Sequence, residues 1–178
     1  MENLKDIAFS NGGKVLSDDG KTVLIDSPEW VESWEAIRKW IHDDQIMGIH
    51  SGGDGWEFWY KTIDDVMQGR AAGYIGSNGD QGDLDFDKLA AHIQPGFGDH
   101  APSPVADPIT CAILSKASDE QKEAGFKWIS YLTSVQGTAK FAMNTGYTPV
   151  RTAALEDEAF QAYLEENPQA RVPLEQLE

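Results

Sequence analysis

The sequence predicts an α/β fold, rich in helices and with only short strands. Three observations carry this expectation: capped amphipathic segments that read as helices, brief apolar or β-branched runs between them, and glycine and proline clusters at the junctions. The 178 residues suffice for one domain with a real core or for two small half-domains. With 40% hydrophobic and 10% aromatic residues, disorder is excluded.

Turn signals at Asn11-Gly12-Gly13 and Asp18-Asp19-Gly20 flank Lys14-Val15-Leu16, and Thr22-Val23-Leu24-Ile25 follows, so a short hairpin is expected. Asp26 or Ser27 caps the next helix, with Pro28 at its favoured first position and Glu29 suited to the positive end of the dipole. Trp30, Trp34, Ile37 and Ile41 share one face, expected to be a core face, while Trp40 falls off it. After the glycine-rich loop Ser51 to Gly55 come Trp56, Phe58, Trp59 and Tyr60. Four aromatics in five residues exceed what one helical stripe buries, so at least one ring is expected to face a cleft or partner. Trp56 and Trp59 are candidates for stacking on sugar rings, whose C–H faces are apolar and whose edges are wet; burial between layers is the plainer reading.

A short helix from Asp64-Asp65 to Gly69 is expected next, then a strand at Ala71 to Ile75 ending in Gly76-Ser77-Asn78-Gly79-Asp80-Gln81-Gly82. Such a loop suits close approach of backbone N–H groups to a ligand, though no Gly-Lys-[Ser/Thr] follows to make it a phosphate loop of the Walker type. Leu89 to Ile93 is the next expected strand, Ala101-Pro102-Ser103-Pro104 an extended crossover, and Ile109 to Leu114 a further strand. Ser118 and Gln121 form the pattern of a capping box, and Gly125, Trp128, Ile129 and Leu132 recur at helical spacing, so this helix should pack on something. Ser134 caps a second helix with a narrower stripe at Val135, Thr138, Phe141 and Ala142. Gly146 ends it and Pro149 forbids its resumption, which holds Tyr147 on a rigid turn, as a core plug with a wet tip or as a ligand contact. Leu155 to Leu164 carries a last helical pattern ended by Asn167-Pro168, and the terminal "ARVPLEQLE" is expected to fray.

The run "SDEQKEAGFKWISYLTSVQGTAKFAMNTGYTPVRTAAL" resembles the late region of the extracellular solute-binding proteins of ABC importers, in the sugar and glycerol-phosphate branch. There, a helix of pattern A-x-x-F-x-x-[FWY]-L-T-S precedes a short helix and a T-G-Y-x-P-V turn. "NGGKVLSDDGKTVLIDSPEWVESWEAIRKW" and "VMQGRAAGYIGSNG" are similar to that family's GG-turn, hairpin and helix, and to its F-x-x-G-[KR]-A-A-M-x-x-x-G segment. The likeness covers nearly the whole chain but only about the second half of a typical member. It implies a C-terminal half fragment of the two-lobed periplasmic-binding-protein-like fold of class II type. Residues 1–104 would belong to one lobe, 105–150 to the other, and 151–178 would form a helix returning toward the first. It further implies that Ser77 donates to the ligand and that Gly146 and Tyr147 close on it. It also implies an ABC permease as partner of the parent protein, and a periplasmic or lipid-anchored extracellular location for that parent. One departure stands out: where glycerol-phosphate binders carry Gly-Gly, this chain has Asp107-Pro108 before Thr110. A carboxylate and an imide without a donor are poor company for a phosphate, so a neutral sugar or polyol is expected in preference to glycerol phosphate.

Composition narrows the alternatives. Fourteen Lys plus Arg against thirty Asp plus Glu give a formal charge of -16, which repels nucleic-acid backbones and anionic lipid surfaces. Cys111 is the only cysteine, so no intrachain disulfide forms, and His42, His50, His92 and His100 show no metal-binding spacing. No cofactor is expected. The N-terminal "MENLKDIAFS" carries no signal-peptide pattern, which on the resemblance marks Met1 as opening a truncated frame. Acidic pairs at Asp43-Asp44, Asp64-Asp65 and Glu165-Glu166 are adjacent in sequence and so do not face one another on a helix. With no nucleophile elbow or triad ordering, no catalytic residue is assigned. The enzymatic alternative, a glycoside hydrolase fragment, requires two buried acids facing one cleft. A third reading is a truncated remnant without useful affinity, whose exposed apolar surface would favour self-association.

Overall fold

The computed structural model describes residues 2–177, with side chains from residue 4 onward. The chain groups into two compact units, one formed by Met1–Gly76 and Gln94–Ala106, the other by Ser77–Ile93 and Asp107–Glu178. This differs from the division expected from sequence in two places. Residues 77–93 group with the second unit, and 151–178 stays with 107–150 because its apolar side chains complete a core there.

In the first unit, α1 (Glu2–Ser10) and α2 (Pro28–His42) pack together around Trp30. The Trp30 ring is buried, meets Phe9 edge-on at 5.8 Å, and donates from Nε1 to Lys14 O at 2.9 Å. Gly13 must be glycine there, since a Cβ would lie 2.8 Å from the Ala8 carbonyl oxygen. The expected core stripe of α2 holds at Trp30 and Ile37, whereas Trp34 stacks on Trp30 and stays exposed. Ser33, a polar residue, is wholly buried and donates to Glu29 O at 2.7 Å, so the helix–helix contact passes over a small side chain. Trp40, off the stripe, lies half-buried with its ring 6.2 Å from Phe97. Ser27 occupies the N-cap position, but its hydroxyl donates to Glu29 Oε2 at 2.6 Å and caps no backbone amide.

The expected strands are where the structure departs most from the sequence. Among the described residues, the one strand-like pairing is an isolated antiparallel bridge between Leu16 and Val23, closed over Asp18-Asp19-Gly20 with Gly20 at φ +69°. Residues 71–75, 89–93 and 109–114 enter no ladder. A strand is a relation between backbones, and apolar β-rich composition produces one only where a second backbone is within reach.

The helix expected to begin near Asp64 instead begins at Glu57: α3 (Glu57–Met67) takes in the aromatic cluster, and Asp64 and Asp65 lie in its last turn. Both carboxylates pair with Arg70, and Asp65 also accepts from His50 Nε2 at 2.6 Å. The His50 hydrogen bond first, and Arg70 second, hold the Asp65 carboxyl below its ordinary range. A depressed carboxylate contributes stability above the unfolded-state pKa and loses it as pH falls through the folded one. Asp65→Asn is therefore expected to lower stability at neutral pH and so flatten its fall between about pH 5 and 3, while the fully acid end, where the carboxyl is protonated in either state, stays in place. Urea midpoints measured across that range check this, and an unchanged acid slope would count against it.

The second unit carries α4 (Asp119–Leu132), α5 (Val135–Thr145), α6 (Glu158–Glu166) and α7 (Val172–Glu175). The Ser118 capping box forms as expected, with Ser118 Oγ accepting from Gln121 N and Gln121 Oε1 accepting from Ser118 N. Ser134 caps α5 through Gly137 N, and Gly146 ends it in the left-handed conformation at φ +78°. Ala139 and Ala142 of α5, Ala154, and Phe160 and Leu164 of α6 form the core, flanked by Met143, Leu155, Tyr163, Ala170 and Leu174. Leu174 belongs to the tail expected to fray; it folds instead into α7, because its leucine finds this core. The apolar face expected to bury α4 does not: no residue of α4 is buried, and Trp128, Ile129 and Gly125 line an open groove of about 680 Å³ with Cys111 to Leu114.

Candidate functional site

Within the second unit, two loops far apart in sequence interlock. The first starts at Ser77, in extended conformation at φ -83° and ψ 147°, and continues as a 3-10 turn over Asn78–Asp83. Ser77 Oγ accepts from Gly79 N at 3.1 Å, and Ser77 N donates to Asp80 Oδ2 at 3.2 Å, so the loop is closed by its own capping box. Asp80 is buried in this role. The glycine-rich stretch, expected to present backbone N–H groups to a ligand, is thus a folded turn in which the amides of Ser77, Gly79 and Asp80 bond within the turn itself.

The second loop is the Gly146-Tyr147 turn after α5. Gly146 sits so close to the first loop that a Cβ would lie 2.6 Å from Asn78 O and 3.2 Å from Gln81 Cβ. Gly79 meets the Tyr147 ring in the same way, since a Cβ there would be 2.8 Å from Cζ and 2.9 Å from the hydroxyl oxygen. Each loop therefore contributes a glycine at the point where the other approaches. Gln81 Nε2 donates to Gly146 O at 3.4 Å, while Gln81 Oε1 is buried without a partner.

Phe141 stacks beside Tyr147 at 6.2 Å with an interplanar angle of 13°. The turn is tied back to α5 at two points: Tyr147 N donates to Thr145 Oγ1 at 3.3 Å, and Val150 N donates to the buried Thr138 Oγ1 at 2.9 Å. The space behind it, lined by Ala142, Pro149, Phe160 and Tyr163, amounts to about 10 Å³, no more than a single water requires. Tyr147 keeps 38% of its surface exposed, an aromatic face with a polar tip on a backed, rigid support.

Three of the five residues expected at the site, Ser77, Gly146 and Tyr147, are thus brought together by the fold. Trp56 and Trp59 belong to the first unit. There Trp56, at the N-cap position of α3, is 67% exposed and meets Trp59 edge-on at 6.4 Å. Sequence reasoning misses three contributors. Gly79 reads only as one glycine among three, Gln81 only as one polar loop residue, and Phe141 only as part of the core stripe of α5. Phe141 sits six residues before Tyr147, which with one turn reversal brings the two rings to the same side; that spacing is the available signal.

Two of the acidic pairs lie in exposed ion pairs at helix ends. Asp64 and Asp65 share Arg70 at an exposed helix end, and Asp43 and Asp44 pair with Arg38 and Lys39 at the end of α2. Among the described residues, no group of three His, Cys, Asp or Glu side chains could hold a metal ion, and no helix is long and apolar enough to cross a membrane.

Residues 2–169 match the family described as bacterial extracellular solute-binding protein. Among solved structures, the chain is similar to UgpB from Mycobacterium tuberculosis in complex with glycerophosphocholine, at 23% identity and a TM-score of 0.74 over 99% of this chain and 42% of that one. It is also similar to the cyclic alpha-maltosyl-1,6-maltose binding protein from Arthrobacter globiformis, at 15% identity and a TM-score of 0.59, over 99% of this chain and 43% of that one. At these identities the likeness establishes the fold, and the chain spans about two-fifths of either structure's length. None of the curated protein sequences matches the chain.

Proposed function

The chain belongs to the bacterial extracellular solute-binding proteins, and from that premise we propose that it grips a small solute without transforming it, for delivery to an ABC importer. The single observation that carries this reading is the interlock of the Ser77 loop with the Gly146-Tyr147 turn. It fixes a half-exposed aromatic ring against the loop that Ser77 opens, on a tightly packed support.

The two structural neighbours frame the choice of solute, one holding glycerophosphocholine and the other named for a cyclic maltosyl-maltose. We favour a neutral sugar or polyol. A phosphate group needs several N–H donors converging on it. Here the amides of Ser77, Gly79 and Asp80 are spent on Asp80 Oδ2, Ser77 Oγ and Ser77 O. Ser77 keeps its hydroxyl hydrogen to donate, and Tyr147 offers a face to the C–H side of a sugar ring. Asp107-Pro108 and the formal charge of -16 weigh in the same direction. The parent protein would act in the periplasm or at the cell surface, held there by a lipid anchor and presenting the solute to a permease.

Calorimetric titration with maltose, trehalose, glycerol and glycerophosphocholine tests this. Saturable heat with a neutral member of the panel is expected, and Tyr147→Ala should weaken it by about tenfold. Binding of glycerophosphocholine alone would overturn the choice of solute. Silence across the panel, or turnover of a chromogenic glycoside, would overturn the reading itself.

A further inference from the structure

The first unit contains a buried polar cluster that solute binding does not use. Asp6 and Ser10, one turn apart on α1, are 8% and 2% exposed. Asp6 Oδ1 accepts from Val105 N at 2.6 Å, and Ser10 Oγ accepts from Ser103 N at 3.0 Å and from Gln94 Nε2 at 3.0 Å. Gln94 Nε2 also reaches Asp6 O at 3.4 Å.

The position of these partners in the chain gives the cluster its meaning. The chain re-enters the first unit at Gln94 and leaves it after Ala106. Pro102 and Pro104 have no N–H, so every backbone donor from 102 to 105 ends on α1. Past Ala106 the situation reverses: among the described residues, no amide from 107 to 113 donates to a backbone acceptor. Stiff, proline-restricted chain on one side of Ala106 thus meets chain without backbone hydrogen bonds on the other.

We infer that Asp6 and Ser10 make α1 an anchor for the connecting chain, fixing it at the edge of the first unit so that its freedom begins at Ala106-Asp107. The anchor is selective because both acceptors, Asp6 and Ser10, are buried on α1 and each takes one of the two amides. Removing an acceptor releases its amide from a partly buried bond, a larger loss than breaking a fully exposed one. Serine and aspartate at successive turns of one helix face are what place two acceptors at the spacing of alternate residues on an extended segment.

Backbone ¹⁵N relaxation and site-resolved amide exchange on the solute-free protein test this, apart from any reading of what it binds. In the native chain, Ser103 and Val105 should exchange slowly, and order parameters should drop between Val105 and Ile109. Ser10→Ala and Asp6→Ala should speed exchange at Ser103 and Val105, respectively, by about tenfold to a hundredfold. Both should move the drop back toward Gly96–His100 while amides of Ser33 and Ile37 in α2 keep their protection. Asp6→Asn, which retains an acceptor oxygen, should preserve the native pattern, and Ser10→Ala decides the matter if Asp6→Ala unfolds the unit. Exchange at Ser103 and Val105 as fast as at Ala106 in the native chain would overturn the inference, as would a drop that stays in place in Ser10→Ala.

Discussion

Phe160→Ala is expected to destabilise the second unit by about 3–5 kcal/mol, the range for emptying a well-packed aromatic site. Phe160 is 3% exposed and stacks on Tyr163 at 6.2 Å, and its neighbours Ala139, Ala142 and Ala154 are the smallest side chains that still carry a methyl group. Those alanines let α6 approach α5 closely and are too short to fill the hole themselves, so any relaxation must come from the flanking Met143, Leu155 and Leu174. Urea unfolding followed by far-UV circular dichroism reads it, with Ala142→Gly as a smaller companion change on the facing helix. A loss below about 1 kcal/mol would show that this cluster is not the core of the unit.

Gly146→Ala carries the second large effect, and it reaches the site as well as stability. Any L residue at φ +78° costs about 1–2 kcal/mol, and here the added Cβ would also lie 2.6 Å from Asn78 O, a backbone atom that cannot rotate away. Gly20 supplies the control, since it has φ +69° and a methyl group added there would meet nothing within 4 Å. Gly20→Ala should show the conformational cost alone. Gly146→Ala should exceed it by about 1–3 kcal/mol for the forced separation of the two loops. Because the same separation lifts Tyr147 away from Gly79, the Gly146 variant should also lose solute affinity, whereas the Gly20 variant keeps it. Equal destabilisation by the two changes would mean that the loops are not locked together.

How much of the fold and site is legible in the sequence depends on the range of the interaction. The caps at Ser118 and Ser134 and the left-handed glycine at 146 can be read directly, because a cap is settled within about four residues of chain. The start of α3 reads too late, because Asp64-Asp65 has the composition of a helix start but lies in the last turn, where Arg70 neutralises it. The strands fail for a different reason: Ile109 to Leu114 has strand composition, but no ladder partner reaches it. Phe141 is misread because periodicity distinguishes an apolar face from a polar one without saying what covers it, and Tyr147 covers part of this one.

By itself, the sequence determined the helices capped by Ser118 and Ser134, the glycine-ended turn that carries Tyr147, the acidity, and the motifs that mark a solute-binding family. Only the tertiary structure decided that the Ser77 loop and the Gly146-Tyr147 turn meet, that Gly79 and Gly146 are the residues permitting it, and that α1 holds the crossover chain. The physical reason is that caps and turns are closed by neighbours a few residues away. Gln81 and Gly146, 65 residues apart in the chain, are joined only once the core beneath the two loops has packed.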